Sequence, residues 1–167
     1  LDRTRNDYYS RSFSALSYSV VGLSNRDLSR SNSELQVLDA KDLFVITNAV
    51  SSEGKKTFKN AKKSSGLEFI SLVSPKSDVH QDWKILDPIQ AVKEFELGER
   101  NLVLFSGLSK DELSPIIKKL KNRLVLVIAN QSTGDFTKIE GIPVIFPGEK
   151  GKMVKKFSLK SGNYTSL

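Results

Sequence analysis

His80 is the only histidine in the chain, and it sits in Asp78-Val79-His80. A carboxylate and an imidazole at this spacing open many binuclear metal sites, because each can ligate one of two neighbouring ions. Such a site needs several further His, Asp or Asn ligands, and no other histidine exists to supply one. The segment is also a polar stretch between Pro75 and Trp83, so His80 reads as a surface histidine. A Ser-His-Asp triad would need His80 as its base, and no Gly-x-Ser-x-Gly elbow accompanies it. Phosphate-cradling loops of the Gly-x-x-x-x-Gly-Lys and Gly-x-Gly-x-x-Gly kinds are missing, and Gly148-Glu149-Lys150-Gly151-Lys152 leads into a strand and reads as a turn. With no cysteine, disulfides, thiolate metal sites and a cysteine nucleophile are all excluded. Asp87, Asp111, Glu112 and Asp135 lie near the ends of expected elements, and two of them serve as caps, so no catalytic carboxylate pair is required to explain them. Asn163-Tyr164-Thr165 fits a glycosylation acceptor, a pattern common by chance.

Charge is the next candidate for function. The net charge of +7 comes mostly from lysine clusters: Lys55, Lys56, Lys59, Lys62 and Lys63, then Lys118, Lys119, Lys121 and Arg123, then Lys150, Lys152, Lys155 and Lys156. Such a surface attracts acidic partners, nucleic acid or anionic lipid. None of the clusters interleaves aromatic residues as single-strand binders do, so the expectation is a solvated face. A nucleic-acid or anionic-surface binder would need the Lys59, Lys62, Lys63 group and the Lys118, Lys119, Lys121, Arg123 group to share one face.

The elements that must position these residues are those of one domain over 1–167, with 38% apolar and 27% charged residues. No apolar run approaches the roughly 20 residues of a membrane helix; Leu124 to Ala129 is strand length. Asp7 can cap a helix whose apolar face is Tyr9, Phe13 and Leu16, and Tyr18 to Leu23 reads as a strand. A small helix is expected near Ser33 to Leu38, a buried strand over Leu43 to Thr47, and a turn at Ser51 to Gly54. Thr57 to Lys63 and Leu67 to Val73 read as paired strands across Ser64-Ser65-Gly66, with Trp83 to Leu86 extended after them. Asp87-Pro88 starts a helix through about Phe95. Leu102 to Ser106 is a strand, Ser109 to Glu112 a capping box, and Leu124 to Ala129 the most buried strand. Pro143 to Phe146 and Met153 to Leu159 are expected to pair antiparallel across Pro147 to Gly151. The alternation predicts an α/β fold in which mixed β-sheet layers are flanked by helices, with parallel pairing and right-handed crossovers in the middle.

The order and wording of several segments resemble the 5′-nucleotidase-type branch of the calcineurin-like metallophosphoesterases. Asp7 through Leu28 (DYYSRSFSALSYSVVGLSNRDL) is similar to that family's helix, strand and metal-binding loop. FVITNAV at Phe44 to Val50, GLEFISLV at Gly66 to Val73, and Trp83 through Ala91 resemble the segments that follow. LVLFSGL at Leu102 to Leu108 and LVLVIANQS at Leu124 to Ser132 stand where the family places its later histidine ligands. PGEKGKMVKKFSL at Pro147 to Leu159 resembles its closing hairpin.

The resemblance implies two divalent metals that activate water on a phosphate ester. Carried over residue by residue, Asn25 matches the bridging Asn of the metal loop and Asp27 its acidic residue, with Asn48 a third vestigial candidate. Arg26 replaces the expected His between them, Gly107 stands where a His belongs, and Asn130, Gln131 and Ser132 fill the Gly-His stretch. The opening Asp-x-His and Gly-Asp motifs have no counterpart N-terminal to Asp7, so the sheet is expected to lack the family's first strand and to leave an edge open to a second copy of the chain. One neutral amide is too few ligands for a metal, so the expectation is a metallophosphoesterase-like pseudoenzyme without catalytic residues or cofactor, acting by binding a protein or an anionic partner. The alternative is an active metal-dependent 5′-nucleotidase with an atypical site, holding a divalent metal. The resemblance to periplasmic and secreted bacterial nucleotidases, with a start at Leu1 that lacks Met, implies an extracytoplasmic protein, lipid-anchored or secreted.

Overall fold

The computed structural model describes residues 15, 17–39, 41–130 and 136–146, together with the backbone of Lys155–Ser158 and Asn163–Ser166. In chain order the elements are β1 (Val21–Gly22), α1 (Asn32–Leu38), β2 (Phe44–Val45), β3 (Ala49–Ser51), β4 (Ala61–Ser64) and β5 (Leu67–Val73). There follow β6 (Trp83–Ile85), α2 (Pro88–Ala91), β7 (Leu102–Gly107), α3 (Lys110–Leu120), β8 (Leu124–Ala129), β9 (Phe136–Ile139), β10 (Ile142–Ile145), β11 (Lys155–Ser158) and β12 (Asn163–Ser166). The helix expected from Asp7, with Tyr9, Phe13 and Leu16, falls outside the described residues, as does Gln131.

Largely apolar runs, unbroken in β8, place β5, β7 and β8 in the interior of a six-stranded sheet in the spatial order β4-β5-β7-β8-β10-β9. β5, β7, β8 and β10 run parallel, whereas the edge strands β4 and β9 run antiparallel to their neighbours. Helix α3 closes the β7–β8 crossover over one face, burying Leu113, Ile116, Ile117 and Leu120 against Ile70, Leu72, Leu104 and Val127. The other face carries Val103, Leu126 and Ile145. A second core gathers Leu23, Leu28, Leu35, Phe44, Phe58 and Trp83 around α1 and the small parallel pair β1–β2. There Phe58 lies between Phe44 and Trp83, with ring centroids 5.9 Å apart on both sides.

Local chemistry fixes the ends of these elements. Ser31 and Ser109 each accept the backbone N–H of the glutamate three residues on, and each glutamate returns the bond, so both α1 and α3 start on capping boxes. Asp87 caps α2, with Pro88 at its first position. Ser65 and Gly66 both adopt positive φ, which makes the tight turn from β4 to β5. Burial raises the pKa of Glu112, but the backbone N–H of Ser109, the hydroxyls of Ser74 and Ser109, and nearby Lys76 outweigh it and hold the carboxyl below its ordinary value. Glu112 therefore contributes stability above the unfolded carboxylate pKa of about 4.3, lost as pH falls through its lower folded value. Glu112→Gln should lower the midpoint of urea unfolding at pH 7 and differ less from the parent below pH 4; a difference independent of pH would contradict this.

Two expectations need correction. The antiparallel partner of β10 is β9, across Glu140-Gly141, while Lys155–Ser158 pairs with Asn163–Ser166. Glu140 and Gly141 both have positive φ, so a two-residue turn closes the hairpin before the Pro147 to Gly151 segment is reached. Arg123, expected on the basic surface, is 7% exposed. Its guanidinium donates to the carbonyls of Phe95 and Glu99, to Asn101 and, at 2.7 Å, to Glu68. Several of the remaining cations are paired or spread apart. Lys59 pairs with Asp42, and Lys62 donates to the Asp42 carbonyl beside edge strand β4. Lys118 reaches Glu140 at the opposite edge of the sheet and Lys119 reaches Glu96, whereas Lys63 and Lys121 are exposed. The five steps from β4 to β9 span about 24 Å.

Candidate functional site

The carboxyl ends of β1, β7 and β8 converge, the position at which open α/β sheets hold ligands. Ser71 ties β1 to the sheet, its hydroxyl donating to the Leu23 carbonyl at 2.7 Å. Gly22 allows this approach. A Cβ there would overlap the ring of Phe105, which itself stacks on Phe69 at 6.0 Å. A glycine inside a strand signals such a close approach, and VVGLS carried that signal unread. Gly22→Ala should cost about 1–3 kcal/mol in urea unfolding, as overpacking does, and Gly22→Ala/Phe105→Leu should recover part of it. No recovery would mean the strain lies elsewhere.

Beyond β1 the chain turns sharply. Both the backbone N–H and the hydroxyl of Ser24 donate to one carboxylate oxygen of Asp27 at 2.7 Å, and Asp27 opens a 3-10 turn through Ser29. Arg26 points to solvent. Asn25 reaches across to β7, where its side-chain N–H donates to the Gly107 carbonyl at 3.3 Å. Its Oδ1 is buried without a hydrogen-bond partner. A Cβ on Gly107 would overlap that oxygen and lie 3.4 Å from the Leu72 carbonyl. Asn25 thus fills the space through which a side chain at position 107 would have to emerge.

The other sequence candidates separate. Asn48 is fully buried at the junction of β2 and β3 with β5 and β6. Its amide donates to the carbonyls of Val73 and Leu86 at 2.8 and 3.0 Å, and its oxygen accepts the Val73 N–H at 2.9 Å. Both N–H donors of that side chain, and one lone pair of its oxygen, are used within the protein. Asn130 is exposed at the end of β8, its backbone N–H donating to Ser106. His80 accepts the Asp82 backbone N–H at 3.2 Å, in the loop before β6.

Two perturbed groups lie away from this convergence. Burial pushes the Asp39 carboxyl up despite its bonds from the backbone N–H groups of Phe44 and Leu43. Burial also lowers Lys56, whose ammonium donates to the Thr47 carbonyl. Neither belongs to the Asn25–Gly107 constellation.

Two divalent ions need several anionic or imidazole donors converging on a shared space. Among the described residues no three His, Asp or Glu side chains gather in that way. Asp27 is the single acid of the loop and already accepts two bonds from Ser24, while Asn48 is buried and tied to three backbone groups. The described residues at these strand ends do not fit such a pair of ions.

No protein-family model and no curated protein matches the chain. Solved structures do. A 5′-nucleotidase from Candida albicans SC5314 superposes with a TM-score of 0.68 over 94% of this chain at 10% identity, and this chain spans 37% of its length. A second solved chain gives 0.66 over 97% at 15% identity, 70% of that chain being covered. TT1561 of Thermus thermophilus gives 0.51 over 97% at 9% identity, with 93% of it covered. No helix among the described residues is long and apolar enough to cross a membrane. The chain has a mixed α/β fold, and it shares that fold with the Candida albicans 5′-nucleotidase.

Proposed function

We propose that the chain is a non-catalytic domain of this fold, working by binding a partner instead of hydrolysing phosphate esters. The observation that carries the reading is the plug at the strand ends: Asn25 lies against Gly107 and occupies the place a ligating side chain would need. Calorimetric titration with manganese and zinc, alongside assays on nitrophenyl phosphate and nucleotide monophosphates, tests the proposal. The expected result is no two-site binding tighter than millimolar and no turnover above buffer, in the parent and in Asn25→Ala alike. Tight two-metal binding with turnover that Asn25→Ala abolishes would instead establish the atypical phosphoesterase.

An extracytoplasmic location belongs to the same proposal and follows from the sequence resemblance to periplasmic and secreted nucleotidases. Fractionation of the native cells with an antibody checks it, and recovery in the cytosol removes it.

A further inference from the structure

We infer that the cleft beside the plug takes an uncharged, largely apolar small molecule bearing one polar group, and that it rejects phosphate esters. The inference rests on the non-catalytic reading and names the ligand class of the same site. The cleft measures about 340 Å³, at the lower end of the sizes that hold small organic ligands. It opens between the ends of β1, β7 and β8, with Val20, Phe105 and Ile128 among its apolar walls. None of the described residues lining it is Asp, Glu, Lys, Arg or His, although the chain carries 26 Lys and Arg.

Its three serine hydroxyls each make a hydrogen bond within the protein. Ser71 donates to Leu23, Ser24 donates to Asp27, and Ser106 accepts from the Leu108 N–H. Asn130, exposed among the lining residues, offers both a donor and an acceptor from one amide. Bringing a phosphate dianion against such walls strips its water without supplying a cation, which is heavily unfavourable. An aromatic body against Phe105 and Ile128, with its single polar group turned toward Asn130, loses almost nothing on entering.

The test compares 1-naphthol with 1-naphthyl phosphate, which share one apolar body and differ in charge. Both are titrated into the full chain by calorimetry and ligand-observed NMR, with EDTA present. Submillimolar binding of 1-naphthol, and binding of the phosphate at least about tenfold weaker, or about 1.4 kcal/mol, is expected. Ile128→Trp fills the cleft from a half-buried position and should weaken 1-naphthol at least about tenfold, with the thermal midpoint recorded to show that the fold is kept. Asn130→Ala, at an exposed position, is the second variant and should weaken 1-naphthol severalfold. Absence of 1-naphthol binding, equal or tighter binding of the phosphate, or an affinity that neither variant changes overturns the inference. Release of 1-naphthol from the phosphate once manganese replaces EDTA would overturn the non-catalytic reading instead, so the two failures are distinguishable.

Discussion

Arg123→Met is expected to destabilise the protein by about 3–5 kcal/mol, the cost of breaking a buried ion pair from one side. The side chain holds together three segments that meet below the sheet: the Phe95 and Glu99 carbonyls of the β6–β7 connection, Asn101 at the start of β7, and Glu68 at the start of β5. The exposures of the Arg123 and Glu68 side chains are only 8% and 13%, so water does not easily replace what the guanidinium supplies. Methionine fits the stem but leaves a carboxylate, two backbone carbonyls and the Asn101 amide oxygen without this donor. At 2–4 °C per kcal/mol for a chain of this size, the thermal midpoint should fall by about 10 °C. Lys121→Met, two residues away and exposed, should change stability by less than about 0.5 kcal/mol. Arg123→Met/Glu68→Leu should recover part of the loss, because it removes the stranded carboxylate but not the stranded carbonyls. A loss below about 1 kcal/mol for Arg123→Met would mean the network is decorative.

The role of Arg123 shows where sequence patterns stop. In the string Lys118-Lys119-Leu120-Lys121-Asn122-Arg123 every cation looks alike, and the last one is turned inward only by segments 22 to 55 residues away. The Asn25–Gly107 contact is of the same kind, joining residues 82 apart. The resemblance places both residues in the site, but only the folded chain brings one into the space of the other. Elements with a local cause were legible. Apolar-rich runs identified β5, β7 and β8, and the serine–glutamate spacing marked the start of α3. The β9–β10 hairpin was missed because Phe136–Ile139 is short and follows a polar stretch, and because Glu140-Gly141 is an unusual pair for a turn needing positive φ at both positions. Strand β3 has three residues, too few for periodicity to register.

Asn48 is the second residue whose loss should be large, for a reason that its resemblance to a vestigial ligand would not suggest. Its carboxamide serves three backbone groups, the Val73 N–H, the Val73 carbonyl and the Leu86 carbonyl, in a place with no access to water. Asn48→Ala strands all three and should cost about 3 kcal/mol or more, since each buried unsatisfied group carries roughly 1–3 kcal/mol. Asn48→Asp separates the donor role from the acceptor role. An ionised carboxylate can still accept from Val73 but faces two carbonyl oxygens where the amide donated, so the folded state favours its protonated form. The folded pKa of that carboxyl then lies above the unfolded Asp value of about 3.9, and the sign follows: stability is greatest below the unfolded pKa and declines as pH rises through the folded one. Urea unfolding from pH 4 to pH 8 should show Asn48→Asp losing stability steadily relative to Asn48→Ala. If Asn48 were instead held for a metal, Asn48→Asp would strengthen the site, and added manganese would raise the variant's thermal midpoint at pH 8. A midpoint unmoved by manganese, together with that pH trend, is what a side chain bracing three strands must give.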